Sequence, residues 1–424
     1  MFLFTANTAK TNLQRLQTAF GAANKLHKIC EGTCSLFWCA DKFTRLSQKR
    51  GRVTVELKRP DIDQAAVCDL IWDLNSGQIV VSRRWSGEFS VYIGRKPTLT
   101  ISSHLKLAAA AHDGLPTGIT ALKAGFCLRV DVSDSTKHYR LWRAKKFRAP
   151  FTLSRQATVR RLKRLVFRSV GQQKGRAALL LSGGIDSAAI AATAVRLRKN
   201  VRAFVFYAQA VQRGPDRDHH CARIVAKSLG IPLTEIRLMS NSLIRNVTQA
   251  VILAETRRGT IVDICTALID VARTLHSKGY RTAWIGEGAD ALFGGFGFAL
   301  RYHRAQGLKA YCRNHLMRSM PDELAILQRV FAQWNISLVF PFWTEKLLEM
   351  GYNLPLCYRF DSKRLMKPIL REAFSNMLPQ EIVNRPKAVP RDSTGVRMVL
   401  EERLGRSRDR YHPAYREHFG RCGS

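Results

Sequence analysis

Arg176-Ala177-Ala178-Leu179-Leu180-Leu181-Ser182-Gly183-Gly184-Ile185-Asp186-Ser187 is the stretch on which the reading of this chain turns. The unbroken apolar run from Ala177 to Leu181 predicts a strand buried on both faces. Gly183 and Gly184 predict a tight turn, and the alanine-rich segment from Ala188 to Asn200 predicts a helix. A strand that passes through a glycine turn into a helix gathers backbone N–H groups at a positive helix end, which favours an anion, above all phosphate. The hexapeptide from Ser182 to Ser187 is not the GxxxxGK[ST] loop, so transfer of a terminal phosphoryl group is not what it points to.

Downstream, VRAFVFYAQ (201–209) predicts a second strand, HHCARIVAKSLG (219–230) a helix, and LTEIRL (233–238) a further strand. Apolar strands alternating with helices predict βαβ units and a parallel sheet. Beyond about residue 300 the pattern is helical and polar, broken by Gly and Pro. Upstream, GRVTVEL (51–57), QIVVSRRW (78–85), GEFSVYIGRKPTLTIS (87–102) and GFCLRVDV (125–132) predict a β-rich domain. Between Asp134 and Asp186 no acidic residue occurs, while Lys137, Arg140, Arg143, Lys145, Lys146, Arg148, Arg155, Arg160, Arg161, Lys163, Arg164 and Arg168 crowd together. This predicts a basic linker over 136–175 between domains at 1–135 and 176–424. Within it, Val159, Leu162, Leu165 and Val166 are spaced for an amphipathic helix with a basic outer face.

The 424 residues carry 69 Lys and Arg against 32 Asp and Glu, a formal charge of +37, so polyanionic partners come into view from composition. Ten cysteines are too dilute for a disulfide-stapled scaffold and indicate a reducing compartment. Cys30, Cys34 and Cys39 lack the CxxC pairs of a zinc site, and Leu36, Phe37 and Trp38 beside them read as core. The opening MFLFTANTAK has no basic region followed by an apolar run, and no stretch resembles a membrane span. The expectation is a cytoplasmic protein.

Two further blocks carry chemistry. Ala283-Trp284-Ile285-Gly286-Glu287-Gly288-Ala289-Asp290-Ala291-Leu292-Phe293-Gly294-Gly295-Phe296 delivers two acids from a short apolar run into a glycine-rich turn. Near the end come Lys367-Pro368-Ile369-Leu370-Arg371-Glu372-Ala373, Leu378-Pro379-Gln380-Glu381-Ile382-Val383-Asn384-Arg385-Pro386-Lys387, and Asp392-Ser393-Thr394-Gly395.

The first loop resembles the PP-loop ATP pyrophosphatase superfamily, whose SGGxDS loop holds pyrophosphate while a substrate is adenylated. With the other blocks, which are similar to "SGEGxDExFGGY", "KxxLRxA" and "LPxxIxxRxK", the resemblance is to the asparagine synthetase family. Ile285 and Ala291 depart from its usual Ser and Glu. The resemblance implies an α/β adenine nucleotide alpha hydrolase-like synthetase domain that binds ATP and Mg²⁺. Leu181, Ser182, Gly183, Gly184, Asp186, Ser187, Phe206, Ile285, Gly286 and Lys367 would then hold the nucleotide, and Asp186 and Asp290 the metal. Lys387 and Glu287 would serve catalysis, Lys387 by stabilising charge during amide formation.

Gly87-Glu88-Phe89, Thr98 to Leu107 and Leu122-Lys123-Ala124-Gly125 resemble a degenerate glutamine amidotransferase domain of Ntn type. Where that domain carries a cysteine after Met, this chain has Phe2, so glutamine hydrolysis is not expected. The nitrogen would come from ammonia or from an amine on a small-molecule or peptide substrate, as in the β-lactam and carbapenam synthetase and lasso-peptide cyclase branches. Glu287 stands where the carbapenam branch has Tyr. The alternative is a nucleic-acid-dependent PP-loop enzyme that modifies tRNA, which the charge suits and the 283–296 and 365–395 blocks oppose.

Overall fold

A computed structural model describes residues 1–6, 14, 16–17, 26–31, 34–39, 44–57, 68–83, 89–94, 99–111, 118–131, 139–143, 151–209, 217–296, 307, 310–360, 366–387, 390–407 and 409–419. Gly87, Glu88, Thr98 and most of the basic stretch at 132–138 and 144–150 lie outside the described residues. The chain divides into two compact units. One comprises Met1–Lys146, Glu255–Arg257 and His412–Ser424, the other Phe147–Ala254 and Arg258–Tyr411.

The first unit is built on strands β1 (Phe2–Thr5), β2 (Leu26–Glu31), β3 (Cys34–Cys39), β4 (Thr44–Lys49), β5 (Arg52–Leu57), β6 (Cys68–Asp73), β7 (Gln78–Arg83), β8 (Tyr92–Gly94), β9 (Thr100–Ser102), β10 (Thr120–Ala121), β11 (Phe126–Asp131) and β12 (Tyr139–Arg143). They form two six-stranded sheets, ordered β10-β8-β9-β1-β3-β2 and β12-β11-β7-β6-β5-β4. Alternation dictates the packing: Phe4 and Leu36 point from the first sheet into a core shared with Val53, Trp72 and Ile79 of the second. Phe4 meets Trp72 edge-to-face with ring centroids 5.1 Å apart. On the other face, Leu3 and Phe37 pack with Leu107 and Ala111 of the helix Leu105–Ala111. Cys34 and Cys39 are buried in β3.

The stretch read as a linker is divided: Tyr139–Arg143 is an edge strand paired antiparallel with β11, and Arg155–Gly171 is a helix of the second unit. That helix begins at Ser154, whose side chain accepts from Ala157 N. It buries Thr158, Leu162 and Val166, with Val159 and Leu165 half-buried, and leaves Arg160, Arg164 and Arg168 in solvent.

The second unit contains a five-stranded parallel sheet of β13 (Ala177–Leu180), β14 (Val201–Ala208), β15 (Leu233–Leu238), β16 (Thr282–Trp284) and β17 (Ser337–Val339), ordered β15-β14-β13-β16-β17. Central β13 is buried throughout, as its apolar run predicts. The Ile185–Arg196 helix that follows it buries Ala188, Ala189, Ala191 and Ala192, side chains short enough to let a helix lie close against its neighbours. Segments beyond residue 300 are helical as expected but less polar in effect: Met320–Ala332 buries ten of its side chains, including Leu324, Val330 and Phe331. No described helix is long and apolar enough to cross a membrane.

The order of strands reverses between β13 and β16. Chain order runs outward to β14 and β15 on one side and to β16 and β17 on the other. In open parallel sheets the crevice beyond such a reversal, at the carboxyl ends of the strands, is where ligands bind. Ser182–Ser187 leaves β13 at that point, and Ile285–Gly288 leaves β16 beside it.

Candidate active site

The loop after β13 is shaped by its own hydroxyls. Ser182 N donates to Ser187 Oγ at 3.2 Å, Ser187 Oγ donates to Gly184 O at 3.2 Å, and Gly184 N donates to Ser182 Oγ at 3.3 Å. Gly183 adopts φ +71°, and a β-carbon there would run into the backbone of Cys221 and Ala222 in the helix Asp218–Leu229. Gly184 caps the Ile185–Arg196 helix with no side-chain hydrogen bond, so the helix end is presented by backbone N–H groups. Such an end suits phosphate oxygens.

Asp186 lies in the first turn of this helix. Lys367 Nζ donates to its Oδ1 and Oδ2 at 2.7 and 2.6 Å, and makes an ion pair with Asp290 Oδ1 at 2.5 Å. Lys387 Nζ donates to Asp290 Oδ2 at 2.6 Å. The four side chains form an alternating row, Asp186, Lys367, Asp290, Lys387, gathered from four separate stretches of the sequence. Lys367 is 1% exposed and Lys387 22%. Gly295 accommodates this crossing, since a β-carbon there would collide with Asp290 and stand 2.6 Å from Lys367 Cε. Lys367 itself has φ +58°, a left-handed conformation uncommon for a residue with a β-carbon. Such strain, on the order of 1–2 kcal/mol, persists where surrounding structure imposes it. Here the Lys367 N–H donates to Arg359 O at 3.1 Å, and the side chain is held between two carboxylates.

The charges set one another. Burial pushes the Asp290 carboxyl up, but Lys367 and Lys387 outweigh it and hold that group well below the usual carboxylate range. Burial pulls the Lys387 ammonium down, and Asp290 and Asp186 more than reverse this, so it stays protonated through alkaline pH. Glu287 is the opposite case. Burial and the nearby Asp290 push its carboxyl up to about 7, with Lys387 only partly opposing them, and no described residue donates it a hydrogen bond.

Because the folded carboxyl titrates near 7 and the unfolded one near 4.5, Glu287 favours the fold below about pH 4.5, and this support is lost as pH rises through 7. Glu287→Gln is therefore expected to gain stability over the parent between pH 5 and pH 8, by about 1–3 kcal/mol. Thermal unfolding of both proteins at the two pH values checks this, and a difference that does not change with pH would refute it.

The remaining expected residues fall around the row. Leu181 is buried, and its N–H donates to Phe204 O at 2.8 Å. Phe206 and Ile285 are half-buried at the carboxyl ends of β14 and β16. Gly286 is pressed on the first helical turn, where a β-carbon would lie 3.0 Å from Asp186 Cβ and 3.1 Å from Ser187 N. Among the described residues no group of three or more His, Cys, Asp or Glu forms a metal cluster. Two carboxylates facing a common cation nonetheless match what Mg²⁺ takes from a protein when phosphates and water complete its shell. The Lys367 ammonium between Asp186 and Asp290 shows that this gap accepts a cation.

Sequence reasoning missed the scaffold of this row, which is made of buried arginines. Arg359, wholly buried, donates to Leu354 O at 3.2 Å and Ala291 O at 3.3 Å, and also to Leu292 O and Gly351 O, bracing the turn that carries Asp290. Arg371 donates to Met366 O at 2.7 Å, to Arg385 O at 2.9 Å and to Val383 O, tying together the segments that carry Lys367 and Lys387. Arg371 and Arg385 stand in the C-terminal blocks, and that was the available signal. Arg359 stands outside them and had none.

The family model described as asparagine synthase matches residues 160–325 and 301–411, which includes every residue of this site. The chain belongs to the asparagine synthase family. Among curated relatives, asparagine synthetase B (glutamine-hydrolyzing) of Escherichia coli (strain K12) is 27% identical over 231 residues, 51% of this chain and 41% of that protein. Asparagine synthetase 1 (glutamine-hydrolyzing) of Lotus japonicus is 26% identical over 235 residues, 51% of this chain and 39% of that protein. The chain thus spans about two fifths of the length of the curated relatives it matches. Among solved structures, NMN synthetase from Francisella tularensis is 14% identical with a TM-score of 0.33, covering 64% of this chain and 98% of that one. Within the stretch that matches the family, Asp186, Lys367, Asp290 and Lys387 stand in successive ion pairs.

Proposed function

We propose that this protein is an ATP-dependent ligase that adenylates a substrate carboxylate, releases pyrophosphate and joins the acyl group to an amine or to ammonia. The observation that carries this reading is the meeting of Asp186 and Asp290 on one ammonium at the strand-order reversal, beside a helix end shaped for phosphate. The loop Ser182–Ser187 takes the β- and γ-phosphates as the leaving pyrophosphate, with Lys367 as their cation. Asp186 and Asp290 would hold Mg²⁺, which when bound would neutralise phosphate charge. Leu181, Phe206, Ile285 and Gly286 line the place of adenosine at the sheet edge. Lys387 stabilises the oxyanion when the amine attacks the adenylate carbonyl, and Glu287 accepts the proton of the amine. The reading is tested with MgATP and a panel of carboxylates with ammonium or amines, beginning with aspartate, the acid from which asparagine is made. AMP and pyrophosphate are the expected products, and ADP with phosphate would overturn the assignment.

The sandwich of the first unit is the remnant of an amidotransferase domain in this reading. Phe2 lies wholly buried in β1, opposite Trp38. The purified protein is expected to release no glutamate from glutamine above a control without enzyme, while ammonium or an amine supports product formation. Glutamate release that depends on the protein would refute it.

A further inference from the structure

Arg385 sits two residues before Lys387. Its guanidinium donates through Nη1 to Ser182 O at 3.1 Å and through Nη2 to Asp218 Oδ1 at 2.9 Å. Both side chains of the ion pair are nearly removed from solvent, Arg385 at 8% and Asp218 at 5% exposure. Ser182 opens the phosphate loop. Asp218 opens the helix whose Cys221–Ala222 backbone stands against Gly183. One planar group therefore binds the loop, the helix that backs it and the segment that ends in Lys387. An arginine whose charge is already matched by a buried carboxylate, and whose second arm is bound to a carbonyl, is not a free cation for phosphate. It is built as a tether.

We infer that Arg385 is a positioning residue that couples the filling of the Ser182–Ser187 loop to the placement of Lys387. The inference rests on the proposed adenylation, because it needs the loop to hold pyrophosphate. The physical reason is the geometry of the fork. A guanidinium holds two partners in fixed directions at once, so a shift of the Ser182 carbonyl is passed to the 385–387 backbone. An ammonium on a flexible stem holds one partner and passes on little.

Magnesium pyrophosphate is the probe, with calorimetry reading its affinity and hydrogen exchange reading peptides that span residues 380–395. In the parent protein, binding is expected to slow exchange in those peptides by at least about 5-fold, the lower end of ordinary coupling between sites. Arg385→Lys keeps the charge beside Asp218 and loses the fork. It is expected to bind the probe within about 3-fold of the parent while losing most of that protection. A merely structural role would instead raise exchange with and without the probe alike and leave their ratio unchanged. If Arg385→Lys does not fold, Asp218→Asn, which frees one end of the tether, carries the same readout. Parental protection ratios in the folded variant would overturn the inference. So would a parent that binds the probe without protecting the segment, which leaves the adenylation reading standing. A parent that does not bind the probe overturns both.

Discussion

Replacing Asp290 by Asn is expected to remove the splitting of ATP to AMP and pyrophosphate, a loss of at least about 10³-fold, the scale of several kcal/mol of metal-ion assistance. The side chain does two things at once. One oxygen faces Lys367 at 2.5 Å and the other accepts from Lys387 at 2.6 Å, so its charge is the common counter-ion of two lysines. An amide keeps the shape and gives up both attractions, together with one of two carboxylates available to a magnesium ion. Asp186→Asn is expected to lose the same chemistry, because the proposed Mg²⁺ site would keep only one of its two carboxylates beside the phosphates.

The two variants should part company in stability. Asp186→Asn leaves Lys367 its pair with Asp290. Asp290→Asn leaves Lys367 only Asp186 as a carboxylate and removes the charge from the acceptor of Lys387. Breaking a buried pair from one side costs about 3–5 kcal/mol, less where a partner or water remains. Asp290→Asn should therefore melt below Asp186→Asn, and both should retain the parental circular dichroism. Product analysis and calorimetry read the two effects separately. A variant that still makes AMP at a rate near that of the parent would place the metal elsewhere.

Some of this row was legible from residue order, because local physics wrote it there. The β13 strand announces itself as an apolar run, and Gly183 is required by a left-handed turn against the Cys221 backbone. What residue order does not contain is the meeting itself. Asp186 and Lys367 are 181 positions apart, and no periodicity links them; only the return of the C-terminal segment to the sheet edge does. The buried arginines were hidden for a different reason. An arginine in sequence reads as surface, and Arg359 is fully buried because four backbone carbonyls replace its water. In the first unit, the charge run around Tyr139–Arg143 masked an edge strand, since Arg140 and Arg143 dilute the apolar pattern on which a strand is recognised. The short β1 gave no alternation at all, Phe2, Leu3 and Phe4 being apolar in succession, because both faces of that strand are covered.

Lys387→Met is expected to separate the two halves of the reaction. The ammonium is anchored to Asp290 at 2.6 Å and kept charged by Asp290 and Asp186, so it acts as a fixed cation and not as a base at neutral pH. A fixed cation is worth most where negative charge develops during reaction, which in the proposed reaction is the oxyanion formed when an amine attacks the adenylate. The proposed adenylation has other cations at hand, Lys367 and the magnesium that Asp186 and Asp290 would hold. Methionine keeps the unbranched stem and removes the charge, and Asp290 still retains Lys367, so the fold is expected to survive. Amide formation should fall about 10²–10³-fold, the range for losing one strong oxyanion donor. Exchange of labelled pyrophosphate into ATP, dependent on the carboxylate, should persist. Equal loss of both activities would assign Lys387 to nucleotide binding, and an unchanged rate of product formation would make it a lysine whose only task is to balance Asp290.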